Sequence, residues 1–127
     1  MAKTAIPTIP NSGAMSEFIG AFDVPSKVAA DCAYHCQFSH CWNAIATRHS
    51  DTMDCKFVVD GKGVTLGLAH PGFVEFRSRA GRNLTDREAS YIAAEYLRER
   101  LEQEDEHALY DVPAAAVVRI IEKLGIH

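Results

Sequence analysis

The chain has 127 residues, 47% of them hydrophobic and 24% charged, which is the composition of an ordinary globular domain with a real core. Thirteen Lys and Arg against seventeen Asp and Glu leave a net charge of −4, which argues against a broad nucleic-acid-binding surface built on clustered cations. No stretch approaches the roughly 18 apolar residues of a membrane helix, so no membrane partner is expected.

Residues 1–23 are rich in Pro, Gly, Ser and Ala and show neither a helical nor a strand period. They read as a lead-in segment that Ile6, Ile9, Phe18, Ile19 and Phe22 could pack against a core, with a single α+β domain following over residues 24–127. The start has only Lys3 as a basic residue and lacks the continuous apolar region of a signal peptide. A cytoplasmic location with reduced cysteines is the resulting expectation.

From Pro25 to Arg48 the spacing predicts a helix. Ala30, Tyr34, Phe38, Cys41 and Ile45 fall on one stripe at about 100° per residue, with Trp42 at its edge. From Cys55 the period switches to two. Cys55, Phe57 and Val59 alternate, Asp60-Gly61-Lys62-Gly63 forms a tight turn, and Val64, Leu66 and Leu68 alternate again. His70-Pro71-Gly72 reads as a second turn. A third strand then places Val74 and Phe76 on one face and Glu75, Arg77 and Arg79 on the other. The result is a three-stranded antiparallel meander.

Thr85-Asp86-Arg87-Glu88 is a capping box, and Leu84 stands where a hydrophobic staple begins. Ala89, Ile92, Ala93, Tyr96, Leu97 and Leu101 then give a long amphipathic helix its core face. Glu95, Arg98, Glu99 and Glu102 take its wet face, with Arg98 and Glu102 paired at i,i+4. After an acidic turn at Glu104-Asp105-Glu106, a C-terminal helix runs from about Pro113 to Lys123 and stops at Gly125. The predicted architecture is α+β: helix, meander, long helix, C-terminal helix. That order is similar to the double-stranded RNA-binding domains, although Thr85-Asp86-Arg87-Glu88 stands where their second helix begins with lysines.

Chemistry concentrates in the run Asp31-Cys32-Ala33-Tyr34-His35-Cys36-Gln37-Phe38-Ser39-His40-Cys41. On a helix, Cys32, Cys36 and His40 share one stripe, and either i,i+4 pair could grip one ion of the kind that thiol and imidazole suit, zinc foremost. Cys32 and His40 would lie about 12 Å apart along the axis, so a complete site needs a ligand from elsewhere, such as Cys55, His49 or His70. No cofactor is predicted, and no C-x-x-C or H-E-x-x-H motif is present. Neither a nucleophile elbow nor a phosphate-binding loop occurs.

A second group, Arg77, Arg79, Arg82 and Arg87, lies where the last predicted strand meets the long helix and could bind an anion or a phosphate backbone. The leading functional expectation is a non-catalytic binding or protein-interaction module that self-associates as a homo-oligomer. The alternatives are a metal-dependent or thiol enzyme using Cys32, Cys36, His40 and Cys55, and nucleic-acid binding through the arginines.

Overall fold

A computed structural model describes residues 17–29, 31–43 and 51–127. Among the described residues the fold is α+β, with one five-stranded mixed sheet and three helices. Strands β1 (Ala21–Pro25), β2 (Ala33–Asn43), β3 (Thr52–Val59) and β4 (Lys62–Ala69) form an antiparallel meander. Helices α1 (His70–Ala80) and α2 (Asp86–Glu102) follow, then β5 (Leu109–Val112), which pairs in parallel with β4, and α3 (Ala114–Leu124). The spatial order of the strands is their chain order.

Two predicted elements change identity. The stretch read as a helix from Pro25 is the end of β1, a connection and all of β2, while its C-terminal part, Ile45 to Arg48, lies outside the described residues. The physical reason is a bulge. Phe38 pairs with Phe57 and His40 with Lys56, so Ser39 is an extra residue on β2. Tyr34, Cys36 and Phe38 keep the strand alternation, and the extra residue carries the inward phase on to Cys41. The positions 34, 38 and 41 therefore match a helical stripe while belonging to an extended chain.

The second correction concerns residues 70–80, read as a turn and a third strand. They are α1, with Pro71 in its first turn and Gly81 in the left-handed conformation at its C-cap, φ 76°. Glu75 and Arg79 pair at i,i+4 across 2.6 Å, a contact no strand could make along its own length. Phe76 faces the core and Val74 faces water, the separation expected of a helix.

The Asp60-Gly61 hairpin is as predicted: both residues have positive φ, and Val59 pairs with Lys62 around them. So is the capping box, where the Glu88 N–H donates to Thr85 Oγ1 at 3.0 Å and the Thr85 N–H to Glu88 Oε1 at 2.9 Å. The C-terminal helix also matches, ended by Gly125 at φ 72°. β5 was not anticipated. The lead-in splits: Ile19 and Phe22 are core residues and Ala21–Asp23 belong to β1, whereas residues 1–16 lie outside the description.

One hydrophobic cluster joins the sheet to the three described helices, from Phe22, Val24 and Phe57 through Leu66 and Leu97 to Val117 and Ile120. Phe57 sits at its centre, edge-on to Phe22 and Phe38 at 6.0 and 5.4 Å between ring centres. Helix α2 lies across β1 to β4, while α1 and α3 pack mainly on each other. Glu95, predicted on the wet face of α2, is instead 3% exposed and bonded to Arg98 and Lys123. Helix α3 covers this side of α2, which single-helix periodicity could not foresee.

Glycine sets the distance between α1 and α3. A Cβ on Gly72 would stand 2.8 Å from both Cβ and Cγ1 of the fully buried Val117. Gly72→Ala is expected to destabilise the protein by about 2 kcal/mol, the usual cost of overpacking. A urea midpoint equal to that of the parent would show that the two helices can separate freely.

Candidate functional site

The helices bury one face of the sheet, and the opposite face carries the polar and aromatic side chains of alternate strand positions. Pairing aligns them in rows: Gln37–Val58–Gly63, then His40–Lys56–Thr65–Leu109, then Trp42–Asp54–Gly67–Asp111. At one border, His35 Nδ1 lies 2.8 Å from Asp23 Oδ1 across β1 and β2. His40 is held by Ser39 Oγ at 2.8 Å and packs on Trp42 with ring centres 4.8 Å apart. Gln37, His40, Val58 and Leu109 are exposed, Val58 at 37% and Leu109 at 43%. At the other border, Asp54 is fully buried and accepts a bond from Thr52 Oγ1 at 2.7 Å. The face thus combines one aromatic, two imidazoles and scattered apolar groups within a polar surround.

The predicted Cys/His stripe is dispersed. Cys32 is exposed in the connection between β1 and β2, with its N–H donating to the Ala29 carbonyl. Cys36 points into the core opposite Val59 and Phe22. Burial, aided by the charges of Asp60 and Asp23, pushes its thiol up to about 12. The Ser39 bulge turns His40 to the outer face, away from Cys36. Cys55, buried on β3, meets Cys41 instead, a residue assigned to the aromatic side of the supposed helix. Among the described residues, no three His, Cys, Asp or Glu groups gather closely enough to hold a metal ion.

The arginines are spread along α1, the connection that follows it and the start of α2. Arg77 is exposed on α1. Arg79 binds Glu75 at 2.6 Å and Glu122 at 3.0 Å. Arg82 forks onto both carboxylate oxygens of Glu88 at 2.9 and 2.7 Å, reaches the His127 carbonyl, and lies over the Phe76 ring. Burial would raise the Glu88 carboxyl, but these bonds and those of Thr85 outweigh it and hold it below its usual value. The Arg87 guanidinium sits 5.3 Å from the centre of the Phe18 ring. Two of the four are thus matched by carboxylates already.

A cleft of about 220 Å³ opens between the β3–β4 hairpin and the end of α2, floored by Val59, Val64, Leu101 and Tyr110 and rimmed by Lys62, Glu106 and His107. His107 Nε2 contacts Asp105 at 2.8 Å, and Tyr34 donates to Glu106 at 2.7 Å, so two of its rim groups are tied to neighbouring side chains. Its volume falls below the roughly 300–1,000 Å³ of pockets that enclose drug-sized ligands.

Among the described residues, no helix is long and apolar enough to cross a membrane. No protein-family model matches the sequence, and comparison with curated proteins and with solved structures returns no similar chain.

Proposed function

We propose that this protein is a non-catalytic interaction module that self-associates through the outer face of its sheet. The observation that carries this reading lies in the described residues: the core cluster and the described helices take one face of the sheet, while Gln37, His40, Val58 and Leu109 stand exposed on the other. β3 is the middle strand of five, so a two-fold axis running along it would set Val58 against Val58. The same axis would lay β2 of one copy over β4 of the other and bring the His40 row towards Leu109.

Sedimentation equilibrium over a hundredfold range of concentration tests this. The parent chain is expected to dimerise, and Val58→Glu, which opposes two like charges at the axis, to weaken dimerisation at least tenfold, or about 1.4 kcal/mol. The circular dichroism of the variant should be unchanged, because Val58 lies outside the core. A parent chain that stays monomeric throughout would overturn the proposal, as would a variant that dimerises equally well.

A further inference from the structure

The geometry points to Cys41 and Cys55 as a two-electron oxidation site, closing reversibly into a disulfide between β2 and β3. The two residues are direct partners in the antiparallel register, with their sulfurs 2.7 Å apart. Opposed residues of antiparallel strands have Cα atoms about 4.5 or 5.5 Å apart, and both spacings lie inside the window of about 4.4–6.8 Å that a disulfide spans. The bond therefore needs only a small movement of side chains, with no change of register.

The other two cysteines have no such partner. Cys36 faces Val59 and Phe22 across its neighbouring strands, and Cys32 lies in a connection. The Ser39 bulge makes the difference, since it is this extra residue that turns Cys41 inward onto Cys55. The first turn of α2 roofs the pair. Cys41 donates to the Asp86 carbonyl at 4.0 Å and Cys55 to the Ala89 carbonyl at 3.8 Å, both long contacts that oxidation gives up at small cost.

The two thiols differ in access, which assigns their order of reaction. Cys41 is half-buried and Cys55 is fully buried. Burial, with the neighbouring Cys41 thiol and the charges of Asp54 and Asp86, also raises the Cys55 thiol well above its usual value. Cys41 is therefore the group that meets an oxidant first. With hydrogen peroxide as the oxidant, the Cys41 sulfur attacks one oxygen, the O–O bond breaks, and hydroxide leaves and is protonated. Cys41 is left as a sulfenic acid. The Cys55 sulfur then attacks Cys41 Sγ. The S–S bond forms, the S–O bond breaks, and the departing oxygen leaves as water with the proton that Cys55 gives up. Two thiols and one peroxide become one disulfide and two waters, and a dithiol reductant reverses the change by exchange.

The test uses the full chain carrying Cys32→Ser, which removes the exposed thiol and leaves three. After peroxide treatment, the denatured protein is expected to titrate one thiol per chain. Peptide mapping should find Cys41 linked to Cys55 and Cys36 alkylated, and dithiothreitol should restore all three thiols. With Cys55→Ser added, Cys41 should be trapped as its sulfenic acid by a cyclic 1,3-diketone. Three thiols remaining after peroxide, a Cys41 sulfinic or sulfonic acid without the linked peptide, or linkage only between chains would each overturn the assignment.

Discussion

Glu95→Ala is expected to lower the stability of the fold by about 3 kcal/mol. Glu95 is the one carboxylate buried between α2 and α3, bonded to Arg98 on its own helix and to Lys123 on the other. Removing one member of a buried ion pair typically costs about 3–5 kcal/mol, because the partner charge stays out of water without compensation. Here the lower end applies, since Arg98 keeps Glu102 and Lys123 keeps Glu99. The second carboxylate is well placed to share the load: burial would raise Glu99, but Arg119 and Lys123 outweigh it and hold it down at about 2. Lys123→Met should cost well under 1 kcal/mol, because the lysine side chain is nearly half exposed. Urea unfolding with an unchanged slope reads both effects. Equal losses for the two variants would mean that the carboxylate contributes only as one end of a pair.

The oxidised protein is expected to unfold at a temperature about 10 °C above the reduced one. A bond between Cys41 and Cys55 closes a loop of about 15 residues, for which loop-closure entropy predicts about 3 kcal/mol. In a domain of this size each kcal/mol moves the midpoint by about 3–5 °C. Calorimetry of the Cys32→Ser chain in peroxide and in dithiothreitol measures the difference. Adding Cys41→Ser should abolish it. A midpoint that stays the same or falls on forming the bond would show that the native strands resist closure and that the reduced state is the better packed one.

The local signals in the sequence are legible where one piece of backbone chemistry decides the outcome. Asp60-Gly61 has to be a tight hairpin because both residues take positive φ, and Thr85 with Glu88 satisfies two helix-start donors reciprocally. The pattern is ambiguous where two periods coincide. The inward residues of β2, interrupted by one bulge, reproduce the four-then-three spacing of a helix face at Tyr34, Phe38 and Cys41. Composition held the contrary signal: from Tyr34 to Trp42 the run is aromatic, His, Cys and Ser, with Gln37 as its sole strong helix former. In α1 the roles reversed, and Val74 and Phe76 imitated an alternating strand. Pro71 at the start, Gly81 at the end and the Glu75–Arg79 spacing were the helix signature.

The meeting of Cys41 and Cys55 was beyond reach for the same reason as β2, because its partnership depends on strand parity. β5 escaped because four residues between two helical segments leave too short a pattern to register. The burial of Glu95 depends on how α3 lies on α2, a tertiary fact with no local trace.

The parallel pairing of β5 with β4 has a consequence for the order of assembly. The four strands of the meander pair with sequence neighbours and can close as soon as they are synthesised. β4 then offers a bare row of donors and acceptors until Leu109–Val112 arrive, some forty residues later. Throughout that interval the growing chain is a sheet with an unfinished margin, open to another chain's strand. The last seventh of the protein acts as a closure, and a ribosome stalled before it would release the form most prone to aggregate.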